Sequence, residues 1–394
     1  MAVKEIKKGI YYVGALHWDR ELFDNLVPIP DGTTYNSYLV KGSEKTALID
    51  TVDPDKEQVL FNNLKQLNVD RIDYVVSQHA EQDHSGTIPK VLSIFPEAKV
   101  VTNQKCKGFL MDLLPVPEDK FIVIDDGETL NLGDKTLEFV FTPWVHWPET
   151  MCTYVKEDKI LFTCDFFGSH FAGSNPFVTD EEKTIEDAKR YYAEIMMPFR
   201  VFIRKNLDKI AKFDIKMIAA SHGSIYKKPE TIINVYRNWV SDDVRNEVVL
   251  PYMSMHGSTE KMVNYLVDAL IDRNITVKPF NVITADVGEL AMALVDAATV
   301  VFGTPTVLAG PHPTIVSTAY FANAVRPKTK FASVIGSYGW GGRTVDILKG
   351  LLPNVKAEFI DPVLVKGDPG EECYKKLDEL ANKILSKHKE LNII

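Results

Sequence analysis

His79-Ala80-Glu81-Gln82-Asp83-His84 sets two imidazoles and two carboxylates within six residues, directly after the apolar run Ile72-Asp73-Tyr74-Val75-Val76-Ser77-Gln78. That run predicts a buried strand, so the polar cluster falls on the loop leaving its end. A loop offering imidazole, carboxylate, carboxylate and imidazole can feed two metals at once. Glu81 matters most, because carboxylate oxygen suits iron or manganese better than an all-imidazole set does.

Further candidate ligands stand downstream where predicted strands meet loops. His146 follows Phe139 to Trp144, Asp165 ends the run Lys159 to Cys164, and His222 follows Met217 to Ser221. Strand ends are where a scaffold can aim side chains at one point. A lone histidine is more often a satisfied core or surface residue. The ordered set of His79, Glu81, Asp83, His84, His146, Asp165 and His222 points instead to a dinuclear site, and a carboxylate such as Asp165 can bridge two cations. His170, close behind Asp165, and Tyr192 are candidates for a catalytic proton-donating role beside it. Trp147 is expected to pack over the site.

At 394 residues the chain exceeds one ordinary core. Composition is that of a soluble globular protein, 45% hydrophobic and 25% charged, and a net charge of −9 argues against a nucleic-acid partner, which needs a basic face. No apolar run reaches the roughly 18 residues of a membrane helix. Lys4, Lys7 and Lys8 before Ile10 to Leu16 faintly imitate a signal peptide. No small-residue cleavage site follows, so the segment is expected to be a first strand in a cytoplasmic protein. Four cysteines without a C-x-x-C pair are expected to be buried reduced thiols.

Strand-like runs dominate the first part, with a hairpin predicted over Met151 to Lys156 and Lys159 to Cys164 and a long helical block over Thr184 to Lys212. After Val248 the chain alternates strictly between strand and helix, which predicts a doubly wound parallel sheet. The expected domains are 1–248 and 249–394.

Three loops at strand ends of the second domain form a flavin-like constellation. Ser254-Met255-His256-Gly257-Ser258-Thr259 precedes a helix, whose unpaired N-terminal amides suit a phosphate. Thr304-Pro305-Thr306-Val307-Leu308-Ala309-Gly310 and Ser337-Tyr338-Gly339-Trp340-Gly341-Gly342 supply glycines and aromatics for a flat ring. A G-x-G-x-x-G fingerprint is absent, which disfavours dinucleotides.

The pattern H-x-[HE]-x-D-H followed by His, Asp and His resembles the metallo-β-lactamase fold. Glu81 in place of that motif's second histidine resembles the flavodiiron proteins, or A-type flavoproteins, and the resemblance extends over the whole chain. It implies an N-terminal metallo-β-lactamase-like αββα sandwich followed by a flavodoxin-like doubly wound parallel sheet. It implies FMN in the three loops and two non-haem irons. His79, Glu81 and His146 would bind one iron, Asp83 and His222 the other, with Asp165 bridging; His84 occupies a position that can ligate or swing away. His256 stands where the family often has an aromatic residue, and Leu308-Ala309-Gly310 replaces a more polar stretch. The implied activity is reduction of dioxygen to water or nitric oxide to nitrous oxide in a head-to-tail homodimer or homotetramer. The chain ends at Ile394 without a further module, so the donor is expected to be external: a rubredoxin, a ferredoxin or a reduced deazaflavin. The competing readings are a dinuclear zinc hydrolase of the same scaffold and a flavodoxin-type electron carrier with a vestigial partner domain.

Overall fold

The computed structural model describes residues 3–394. They divide into two compact units, one running up to Tyr192 with Phe199–Val240, the other formed by Ala193–Pro198 with Ser241–Ile394.

The first unit is built on two large sheets, beside two short two-stranded ones. The larger has the strand order Lys4–Lys7, Ile10–Tyr12, Tyr38–Lys41, Thr46–Ile49, Tyr74–Val76, Lys99–Thr102 and Phe121–Val123. The smaller has the order Thr129–Asn131, Thr136–Phe141, Met151–Val155, Ile160–Cys164 and Met217–Ala220. Side chains alternate between faces with a period of two. Val40, Ile49, Val76 and Val101 turn inward and meet Leu137, Phe139 and Phe162 of the second sheet. Their neighbours Leu39, Leu48, Val75 and Val100 turn outward onto Leu60, Leu64 and Leu110 of the helices Glu57–Gln66 and Gln104–Leu113. Burial on both faces is why these strands read as unbroken apolar runs. The helix Arg200–Ile210 is tied to the second sheet by Asn206 Nδ2, which donates to the Pro143 carbonyl at 3.0 Å, and by Lys209 Nζ on the Phe141 carbonyl at 2.7 Å. The expected αββα sandwich is the observed one.

Strand direction places the candidate ligands. Tyr74–Val76 runs parallel to both Thr46–Ile49 and Lys99–Thr102, and the His79–His84 loop leaves its carboxyl end. Ile160–Cys164 and Met217–Ala220 are parallel with Cys164 opposite Ala220, so Asp165 and His222 leave the sheet close together. Trp144, Cys164 and Phe167 adopt left-handed backbone, with φ of 65°, 51° and 69°. Such conformations cost energy in non-glycine residues and cluster where a scaffold aims functional groups. The predicted helical block 184–212 is helical in the structure but not one regular α-helix. Glu181–Tyr191 and Arg200–Ile210 are joined by a wider π turn, Tyr192–Met196, and a tighter 3-10 turn, Met197–Phe199, where Pro198 lacks the amide that a regular α-helix needs.

The second unit is a parallel sheet of order Thr276–Asn281, Arg245–Tyr252, Ala297–Gly303, Phe331–Tyr338, with Glu358–Phe359 and Val363–Lys366 both pairing the last of these. Helices Ser258–Ile271, Val287–Leu294, Pro313–Val325, Thr344–Gly350 and Glu371–Glu390 interleave. The final strand is split at Pro362, which has no amide to give the ladder. Among the described residues no helix is long and apolar enough to cross a membrane.

A buried histidine makes this unit pH-sensitive. His388 is fully buried, its Nδ1–H donating to Asn246 Oδ1 at 2.8 Å and its Nε2 2.7 Å from Thr299 Oγ1. Burial pushes its pKa down to about 4, against roughly 6.5 for a free imidazole. The folded state resists a proton that the unfolded chain accepts. The stability this group contributes is therefore complete above about 6.5 and is lost as the pH falls towards about 4, by about 3 kcal/mol. Denaturant melts of the wild type and of His388→Gln, run from pH 7.5 to 4.5, should show the variant losing less stability on acidification; parallel losses would refute the assignment.

Candidate metal centre and flavin cleft

All seven predicted metal ligands meet, in two groups. His79, Glu81, His146 and Asp165 each present one donor atom, all within 4.8 Å of one another, and Asp83, His84 and His222 do the same. Asp165 lies between the groups. Its Oδ2 is 3.6 Å from His79 Nε2 and 3.5 Å from His146 Nε2. Its Oδ1 is 3.1 Å from His84 Nε2 and 3.5 Å from His222 Nε2. Glu81 Oε2 sits 3.0 Å and 3.2 Å from the Nε2 atoms of His79 and His146. Asp83 mirrors it, with Oδ1 3.3 Å from His84 Nε2 and Oδ2 3.1 Å from His222 Nε2.

The chemistry of this donor set fits a pair of cations. Asp83 and Asp165 are buried, and none of their four carboxylate oxygens receives a hydrogen bond; His84 Nδ1 also lacks a partner. Bare buried carboxylates are costly unless positive charge stands beside them. Burial would raise the pKa of Glu81, but the imidazoles of His146 and His79 outweigh it and hold the carboxyl far below its usual range. Burial also opposes ionisation of Asp165, yet His84 foremost holds it low. Burial would lower His84, but the charges of Asp83 and Asp165 raise it to about 10. The cluster thus draws protons onto its imidazoles, and divalent cations would displace them.

The surroundings include groups the sequence did not reveal. His79 Nδ1 meets Glu149 Oε1 at 2.7 Å, and His222 Nδ1 bonds the Thr34 carbonyl. Trp147 packs edge-on to His79 at 4.9 Å, as expected. His170 lies beside the site, 5.2 Å from the His222 ring and 4.6 Å from Phe23. Its Nδ1 is 2.9 Å from Thr33 Oγ1 and its Nε2 is buried without a partner. Burial, with the charge of His222, pushes its pKa well below the usual value, so the ring is neutral. Tyr192 does not reach the pocket. Its hydroxyl donates to the Trp239 carbonyl at 3.2 Å, and its ring packs on Tyr236 and Trp239. Adjacent helical residues point about 100° apart, and it is Tyr191 that faces the site. The Tyr191 ring is 5.9 Å from that of His222, and its hydroxyl is held protonated by burial and by Asp165.

In the second unit the three predicted loops converge on one cleft. Ser254, Met255, His256, Ser258 and Thr259 line it with Pro305, Thr306, Ser337, Tyr338 and Gly339. Gly257 is left-handed with φ 88° and caps the helix Ser258–Ile271 without a side-chain cap bond. Its missing Cβ would meet nothing within 4 Å, so the cradle is open. Ser254 Oγ accepts from the Gly257 amide at 3.1 Å, which folds the loop over the helix start. Of the predicted residues, Leu308 and Trp340 are 89% and 71% exposed, beside the cleft rather than within it. A fourth loop was not foreseen. Gly367 lines the cleft, and Asp368 bonds Ser258 Oγ at 3.2 Å and Lys261 Nζ at 2.7 Å.

A bimetal sandwich joined to a flavodoxin-like sheet defines a class of two-cofactor oxidoreductase, and comparison with known proteins narrows it. Residues 33–223 match the ODP family beta lactamase model and 250–379 match the flavodoxin model. The nitric oxide reductase of Moorella thermoacetica is 36% identical over 97% of this chain and 98% of its own. The rubredoxin oxygen:oxidoreductase of Desulfovibrio gigas superposes with a TM-score of 0.95 at 29% identity, over 98% of this chain and 99% of that one. The flavodiiron protein of Giardia intestinalis gives a TM-score of 0.92 at 27% identity, over 99% and 98%. This chain belongs to the flavodiiron protein family.

Proposed function

We propose that this chain is an oxidoreductase that takes electrons from an external donor onto FMN and uses them at a non-haem diiron centre to reduce dioxygen to water, nitric oxide to nitrous oxide, or both. The observation that carries the reading is Asp165, whose two oxygens face two separate pairs of imidazoles. His79, Glu81 and His146 would hold one iron and Asp83, His84 and His222 the other, with Asp165 placed to serve both. When bound, the irons supply open positions for the gas, and diferrous iron with reduced FMN supplies the four electrons that dioxygen needs and the two that a pair of nitric oxides needs. Glu81 speaks against a zinc hydrolase, since carboxylate in that place suits iron.

The protein's own groups position and protonate. Phe23 and Trp147 pack on the imidazoles and exclude water. The Tyr191 hydroxyl holds a proton beside Asp165, and His170 Nε2 stands bare near His222. In the flavin cleft the first-turn amides of Ser258 and Thr259 take the phosphate, while Thr304–Gly310 and Ser337–Gly342 border the ring.

The diiron part is assigned to residues 1–248 and the flavin part to 249–394; the strand Arg245–Tyr252 draws the seam back to about residue 241. Exposed Leu308 and Trp340 beside the flavin, and a cleft of about 470 Å3 lined by Phe109, Trp144, His146, Trp147 and Phe199, call for a cover. A second copy, arranged head to tail, covers both in a homodimer or homotetramer and sets one chain's FMN beside the other chain's irons. The donor is a rubredoxin-like protein, a ferredoxin or a reduced deazaflavin. Four buried free cysteines suit a cytoplasmic location.

Metal and flavin analysis of protein made in iron-replete cells tests the reading. Two irons and one FMN per chain are expected, with rapid consumption of one or both gases from a competent donor. Two zincs, or no metal, would overturn it.

A further inference from the structure

The two metal positions are formally alike. Each is offered two imidazoles, one terminal carboxylate and one oxygen of Asp165: His79, His146 and Glu81 on one side, His84, His222 and Asp83 on the other. Nothing in these donors makes one position the stronger. The groups behind them do.

His79 is backed by a carboxyl group. The Glu149 side chain is wholly buried, and its Oε1 lies 2.7 Å from His79 Nδ1 while accepting from the Ala80 amide at 3.2 Å. Asn103 Nδ2 holds the Glu149 carbonyl at 2.6 Å, so the residue is fixed from its backbone as well. A carboxylate can only accept, so Nδ1 of His79 donates to Glu149, which leaves Nε2 to face Glu81 and Asp165, where a metal would take it. The other oxygen, Oε2, is buried with no hydrogen bond. A bare carboxylate oxygen is expensive to bury without a compensating partner. Among the described residues no carboxylate is hydrogen-bonded to an imidazole in this way at the second position: buried Asp50 comes within 4.8 Å of His84, but its oxygens accept from Gln78 and Ser221 instead. His222 Nδ1 bonds the neutral carbonyl of Thr34, and His84 Nδ1 has no partner.

We infer that Glu149 is a positioning residue that makes the two positions unequal. By drawing on the Nδ1 proton it gives His79 part of the character of an imidazolate, a stronger donor at Nε2. The position of His79, Glu81 and His146 therefore binds its metal more tightly and favours the oxidised ion more than the position of Asp83, His84 and His222. The inference rests on the dinuclear reading above.

The test uses the full-length chain, loaded anaerobically with ferrous iron and challenged with a chromogenic chelator. Wild type should release iron in two well-separated phases. Glu149→Gln keeps an oxygen to accept from Nδ1 but removes the charge. Its slow phase should accelerate roughly 10- to 100-fold, the usual cost of losing an outer-sphere carboxylate, with the fast phase unmoved. Nitrogen NMR of the metal-free chains should show Nδ1 of His79 protonated in both, with FMN content and melting unchanged. A single release phase in wild type would overturn the inference without any variant. So would a Glu149→Gln chain that keeps the wild-type slow phase. His79→Ala separates the two levels: if both phases survive it, the dinuclear reading fails and this inference falls with it.

Discussion

Asp165→Ala is expected to empty both metal positions, whereas Asp83→Ala empties one. The asymmetry follows from geometry. Asp165 turns Oδ2 towards His79 and His146 and Oδ1 towards His84 and His222, so one side chain serves both groups. Asp83 reaches only His84 and His222. Removing Asp165 also takes away the charge that both cations share, in a site where burial denies water as a substitute. Affinity should fall at both positions by at least about 100-fold, beyond the roughly 10- to 100-fold that loss of an outer partner costs. Purified Asp165→Ala should carry almost no iron and have no gas-reductase activity, with its FMN intact. Asp83→Ala should keep the iron held by His79, Glu81 and His146. Metal analysis with iron spectroscopy on both variants decides it. Equal partial loss in the two would mean that Asp165 is an ordinary terminal ligand.

Most of the proposed metal site was legible because its candidate ligands sit at strand ends. A strand end is visible as the close of an apolar run, and an imidazole or carboxylate placed there has few structural reasons to exist. His79 to His84, His146, Asp165 and His222 all carry that signature. Glu149 does not. It lies three residues beyond His146 in a loop, and only the folded chain reveals that it backs His79. The confusion of Tyr192 with Tyr191 has a similar root. One residue of error along a helix turns a side chain by about 100°, and the π turn that starts at Tyr192 changes the phase without a mark in the sequence. Asp368 was missed because its role is to hold Ser258 and Lys261, more than a hundred residues away in sequence.

The second unit read more easily than the first. Its central strands Arg245–Tyr252, Ala297–Gly303 and Phe331–Tyr338 are largely buried on both faces, and helices such as Ser258–Ile271 and Glu371–Glu390 are long, so length and period separate them. In the first unit several strands have only three residues, among them Phe121–Val123 and Thr129–Asn131. Such runs carry too little pattern to be told from loops. Their place is set by pairing across the sheet, which the chain order does not display.

Gly336→Ala should abolish FMN binding while leaving the iron in place. Gly336 lies in the strand Phe331–Tyr338, just before the loop that begins at Ser337. Its neighbour strand Ala297–Gly303 runs parallel with Gly303 opposite Ile335, and the Thr304 amide donates to the Ile335 carbonyl at 3.0 Å. A Cβ on residue 336 would stand 1.9 Å from the Thr304 carbonyl oxygen. No side chain can swing aside there, because the obstacle is backbone. The strands must separate where they launch Thr304-Pro305-Thr306 and Ser337-Tyr338-Gly339, which line one cleft. Overpacking usually costs about 1–3 kcal/mol, and a backbone collision belongs at the upper end or above. Gly350→Ala is the control, since a Cβ there meets nothing within 4 Å and the residue ends a helix. Flavin absorbance and iron content, measured on the same preparations, read the two sites separately. Wild-type FMN content in Gly336→Ala would show that the spacing of these two loops does not govern flavin binding.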